Sequence, residues 1–117
     1  MKRSILDEIE AERDKQDARW GVQNHPMAFD MSWAGNADRK AAGAYLCRMY
    51  EIPHEAQAKL LCENDAEEGC LTWPRILIEE VSEAVSAAGD PVAMRAELVQ
   101  VAAVAAAMIE ALDRTPE

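Results

Sequence analysis

Five polar residues in two short motifs are where this sequence could do chemistry: Glu79-Glu80-x-x-Glu83 and, further on, Glu97-x-x-Gln100. A spacing of three puts Glu80 and Glu83 on one face of a helix, and likewise Glu97 and Gln100. Arg75 is the only cation in the segment around the first motif, so Glu79, Glu80 and Glu83 repel one another without i,i+4 relief. Three carboxylates and one amide make a hard, all-oxygen donor set, which suits Mg²⁺ or Mn²⁺. The plainer reading is that these glutamates face water, with Glu97 solvated or paired to Arg95 or Arg75.

Such a site needs two helices held at a fixed depth. Thr72 can N-cap the first, with Pro74 in its opening turn, and Asp90-Pro91 is an N-cap and N1 pair for the second. Gly89 suits a C′ stop. These signals predict helices over 72–88 and 91–113, joined by Gly89-Asp90 alone and therefore forming an antiparallel hairpin. At the helical rise Glu83 and Glu97 both lie roughly 10 Å from the turn, and Glu80 and Gln100 roughly 14 Å. The two motifs meet if those faces point at each other.

The rest of the chain bounds the setting. Its 117 residues are half apolar, 29% charged and only 5% aromatic, which reads as one all-α domain over 1–117. The net charge of −10 disfavours nucleic acid and anionic lipid as partners, and neither is expected. Cys47, Cys62 and Cys70 form no paired framework, and no signal peptide is evident, so a cytoplasmic location is expected. Leu98 to Ile109 is uncharged but too short to span a bilayer, so no membrane is expected either.

Ser4 to Arg19 reads as a first helix, with a capping-box-like start at Ser4 and Asp7 and a modest apolar side of Ile5, Leu6 and Ile9. Gly21 ends it, and Trp20 to Pro26 follows as a loop whose Trp, Gln, Asn and His could meet a base and sugar or simply serve packing. Met27 to Asn36 reads as irregular, pinned by Met31 and Trp33. Helices follow over 37–50 and 55–68, the first with Ala41, Ala44, Tyr45, Cys47 or Arg48, and Met49 inward, the second with Ala56, Leu60, Leu61 and Cys62. Nothing catalytic stands out over 27–70, which reads as a lid or an extra packing layer. Val101 to Ile109 is apolar all round, so the final helix should be buried on most sides, with a second subunit covering its outer face.

The pattern Glu-Glu-x-x-Glu followed by Glu-x-x-Gln resembles the all-α nucleoside triphosphate pyrophosphohydrolases of the MazG-like superfamily, which have Asp in the last place. Glu12-Arg13-Asp14-Lys15-Gln16-Asp17-x-x-Trp20-Gly21-x-Gln23-Asn24-His25-Pro26 and the tail from Glu97 resemble the small members found in actinobacteria and their phages. The resemblance implies hydrolysis of a nucleoside triphosphate, with a deoxynucleotide favoured, to the monophosphate and pyrophosphate. It implies Mg²⁺, with Mn²⁺ as a substitute, on Glu80, Glu83, Glu97 and Gln100. Glu79 takes a position that orients or activates the attacking water, so Glu79, Glu80 and Glu83 form the catalytic set. Trp20, Gln23, Asn24 and His25 are implied as nucleotide contacts, with Lys15, Gln16 and Arg19 beside the phosphates. The expected architecture is a helical bundle built on the hairpin, packed with the N-terminal helix and assembled as a dimer or tetramer. The alternative is a regulatory protein that senses a nucleotide on the same scaffold without hydrolysing it. Phosphoribosyl-ATP pyrophosphatases and dUTPases use related scaffolds.

Overall fold

A computed structural model describes residues 3–29 and 38–114, the side chain of Arg39 excepted. Among the described residues the chain forms five helices and no strand: α1 (Arg3–Trp20), α2 (Arg39–Met49), α3 (Glu55–Glu67), α4 (Trp73–Ser86) and α5 (Pro91–Arg114). The expected all-α class is the observed one. Met31 and Trp33 lie outside the described residues.

Each boundary has a local cause. Asp38 caps α2 by accepting from the Ala41 N–H at 3.0 Å. His54 caps α3 through Nδ1, which accepts from the Gln57 N–H at 3.2 Å. Thr72 caps α4 on the Arg75 N–H, and Asp90 caps α5 on the Ala93 N–H at 3.2 Å. Gly21 ends α1 with φ +68° while its N–H donates to the Asp17 carbonyl at 2.7 Å, a left-handed stop that glycine takes without strain. Two expected caps differ. Ser4 lies inside α1 rather than before it. Gly89 has no positive φ, because α4 already ends at Ser86 and the chain turns through 87–89, with the Asp90 N–H donating to the Ala87 carbonyl at 2.9 Å. The connection is thus longer than Gly89-Asp90.

Helix α4 is the hub: it packs most widely against α5, then against α3 and α2. Three contacts fix these crossings. Gly43 of α2 lies so close to α4 that a Cβ there would sit 2.9 Å from the Ser86 carbonyl oxygen. The fully buried Cys47 thiol reaches the Ser86 hydroxyl at 3.2 Å and the Ser82 carbonyl at 3.6 Å. Arg75 of α4 pairs with Asp65 of α3 at 2.7 Å, which removes it as a partner for Glu97. The segment expected as a lid or packing layer therefore contributes two helices packed on α4.

The core these crossings enclose is small. Ile5, Leu46, Cys47, Ala58, Cys62, Ala84, Ala87 and Ala106 are its buried apolar members. Of the expected inward positions Cys47 and Cys62 are buried, while Ala41 and Met49 of α2 and Ala56 and Leu60 of α3 are exposed. Gly43 and Leu46 join Cys47 as the buried positions of α2, and Ala58 joins Cys62 in α3. Helix α1 has only Ile5 buried and is not among the closely packed pairs. Trp20, a candidate core anchor, is 54% exposed.

Helix α5 departs furthest from expectation. Only Ala106 is buried, while Leu98, Val99, Ala102, Ala103 and Leu112 are exposed, so this chain alone does not enclose the apolar helix. At 24 residues it is about 36 Å long, and by length and composition it could cross a membrane. The uncharged run Leu98 to Ile109 is by itself too short to span; the helix reaches that length only when the turn carrying Arg95 and Glu97 is counted with it. The accessible surface of 8716 Å² compares with about 6,300 Å² for a compact monomer of this mass. The radius of gyration, 16.6 Å, compares with about 13 Å. The chain is a slab, 50 × 45 × 21 Å.

Candidate metal centre

Helix α4 presents Glu80 and Glu83, and α5 presents Glu97. One carboxylate oxygen from each of these three half-buried residues lies within 4.8 Å of the others. Their meeting follows from the caps: Thr72 and Asp90 set where α4 and α5 begin, and the short connection fixes their relative depth. In an octahedral shell at ~2.1 Å per oxygen, opposite ligands stand ~4.2 Å apart, so the span suits one Mg²⁺-sized ion after a small closure.

The cluster is electrostatically strained. Burial pushes the Glu83 carboxyl up from its ordinary 4.5 to about 7, aided by the charges of Glu80, Glu97 and Glu79 and a hydrogen bond with Glu80. The Oε2 atom of Glu80 is buried with no hydrogen-bond partner among the described residues. An orphaned anionic oxygen of this kind is costly unless something cationic or protonic meets it. The donor set and the orphaned oxygen both fit a divalent cation.

Glu79 is half-buried on the α3 side of this group. It adds to the charge felt by Glu83 and stands beside Cys62. Burial, followed by the hydrogen bond and charge of Glu79, pushes the Cys62 thiol up to about 12, leaving it an inert packing group. Gln100, the fourth expected ligand, is exposed.

The expected nucleotide contacts are not drawn onto this cluster by any packed helix pair. Lys15, Arg19, Trp20, Gln23, Asn24 and His25 are exposed, and Gln16 is half-buried. Gln16 accepts from Arg13 at 2.6 Å, Lys15 pairs with Glu12 at 3.8 Å, and the Arg19 guanidinium lies 4.9 Å from the Trp20 ring centre. These are contacts within α1 and its end.

Sequence reasoning passed over a concave surface between α2 and the start of α3. Two adjoining cavities of about 670 and about 710 Å³ share Ala41, Ala44 and His54, and Ser86 of α4 borders the first. Small alanines at the α2 surface opposite a helix start were the available signal.

No protein-family model, curated protein or solved structure matches this chain.

Proposed function

We propose that the chain is a metal-dependent nucleoside triphosphate pyrophosphohydrolase acting on a nucleotide, a deoxynucleotide by preference, to release the monophosphate and pyrophosphate. The observation that carries this reading is the convergence of Glu80, Glu83 and Glu97 across α4 and α5, with a buried Glu80 oxygen lacking a partner. Their motif spacing is that of the MazG-like enzymes, and α4 with α5 would be the antiparallel hairpin of that architecture.

Glu80, Glu83 and Glu97 would hold Mg²⁺ or Mn²⁺, with Gln100 at the rim. When bound, such an ion offsets triphosphate charge and polarises the α-phosphoryl oxygens toward attack by water. Glu79, beside the ligands but not among the three converging oxygens, is suited to orient that water and take its proton. Glu83 must give up its proton for the site to fill, so loading is favoured above the pH at which it titrates. Helix α5 would be covered by a second copy rather than by lipid, because Arg95 and Glu97 lie within its apolar stretch.

The test is direct. Incubation with a panel of NTPs and dNTPs and Mg²⁺ or Mn²⁺ should yield pyrophosphate and one monophosphate, and Glu80→Gln or Glu83→Gln should lower turnover at least 100-fold with helicity unchanged. Full activity in either variant would remove the metal assignment. A second reading, a nucleotide sensor without turnover, is favoured by one observation: Gln100 brings no charge to the site and is exposed. Tight nucleotide binding with no hydrolysis of any substrate would select it.

A further inference from the structure

The concave surface between α2 and α3 has an apolar floor and a polar rim. Ala41 and Ala44 belong to α2, while Ile52 and Pro53 come from the connection to α3. Each cavity is within the size range of sites that hold a small organic ligand. The rim charges decide which half of a nucleotide it could take. Asp38, Glu51 and Glu55 stand against Lys40 and Arg48, so the rim does not favour a triphosphate. An uncharged ring with hydroxyls and amides at its edges suits it better.

His54 sharpens this. Its Nδ1 accepts from the Gln57 N–H, so the neutral ring carries its proton on Nε2. The ring is exposed at the cavity shared by both lobes, and that Nε2–H is a donor for a ligand acceptor. Glu55, at the same helix start, supplies an acceptor of the kind that holds a sugar hydroxyl. The cavity also neighbours the candidate metal centre. Ser86, on its wall, follows Glu83 by three residues on α4, about 4.5 Å along the helix. Residues three apart are neighbours on a helix surface, so the cavity wall at Ser86 and the cluster at Glu83 share one turn of α4.

We propose that this cavity binds the nucleoside half, base and sugar, of the substrate whose phosphates meet Glu80, Glu83 and Glu97. The inference rests on the pyrophosphohydrolase reading, and its test separates the two. Binding of uncharged ribo- and deoxyribonucleosides is measured without metal, by calorimetry or ligand-observed NMR, on the full chain. Ala44→Leu fills the floor, and His54→Asn keeps a good N-cap while removing the imidazole; unchanged thermal melts establish that both variants fold. At least one nucleoside should bind wild type, with affinity lowered tenfold or more in Ala44→Leu and about tenfold in His54→Asn. Glu83→Gln should bind that nucleoside as wild type does. With triphosphate and metal, the same two cavity variants should raise KM with kcat held.

If nucleoside binding and KM are unchanged in both cavity variants while wild type hydrolyses a triphosphate, the cavity assignment is overturned and the enzyme reading stands. The same holds if Trp20→Ala abolishes nucleoside binding and Ala44→Leu leaves it intact, since the base would then sit on the loop after α1. If wild type neither binds a nucleoside nor hydrolyses any triphosphate, both fall.

Discussion

Glu83 keeps its proton to about pH 7 because it is half-buried and because Glu80, Glu97 and Glu79 surround it with like charge. Linkage gives the sign. The folded pKa lies above the unfolded one, so this group's contribution to stability is fully present below about pH 4.5. It is lost as pH rises through about 7. In EDTA, thermal stability should therefore fall over that window, and Glu83→Gln should flatten the fall. Excess Mg²⁺ or Mn²⁺ should reverse the trend, because carboxylates ligate only when deprotonated and folded-state binding adds stability. A melting temperature unmoved by either ion across pH 6–8 would count against the site. At this scale the sequence was informative where spacing and register alone matter, as for Glu80, Glu83 and Glu97. It was silent on His54, whose role depends on a cap and a cavity that no local pattern marks.

Helices are legible from caps and periodicity, and Thr72, Asp90 and Gly21 acted as their residue types predict. Which face turns inward is another matter. For α2 the apolar count favoured Ala41 and Met49, yet Gly43 and Leu46 face α4, because the smallest residue decides how closely two helices can cross. Gly43 makes the point testable. Its missing Cβ leaves room for the Ser86 backbone, so Gly43→Ala should destabilise the chain by about 1–3 kcal/mol through overpacking, despite the better helix propensity of alanine. A chemical denaturation midpoint at or above wild type would mean that α2 and α4 can move apart freely. The stop of α4 was misread for a similar reason. Gly89 looked like the breaker, but the turn at Ala87 comes first, with its N–H donating to the Glu83 and Ala84 carbonyls.

The whole molecule exposes more surface than its mass requires, and large apolar side chains such as Leu98, Val99 and Leu112 are part of what is exposed. A stable pair buries about 800 Å² per partner, well within the difference of about 2,400 Å². Helix α5 offers Leu98, Val99, Ala102 and Ala103 as its uncovered face. If a second copy covers it, light scattering should give a dimer or a larger closed assembly. Leu98→Glu together with Val99→Glu should shift that assembly to monomer or to unfolded chain. A monodisperse monomer at micromolar concentration would refute self-association. Composition made the helical class legible at this scale. What covers an apolar face depends on neighbours outside the chain, and a single sequence carries no register for them.

The three thiols differ in a way that turns the molecule into its own timepiece. Cys70 is exposed, whereas Cys47 and Cys62 are buried, Cys47 against the Ser82–Ser86 stretch of α4 and Cys62 against Arg75. A thiol reagent should therefore modify Cys70 at once. Cys47 should react only as often as α2 lifts from α4, and Cys62 only as often as α3 does. With Cys70→Ser as background, two slow phases would separate those openings. Saturating a ligand that bridges the α2–α3 cavity and α4 should slow both. If both buried thiols react as fast as free cysteine, neither helix is held against α4 in solution.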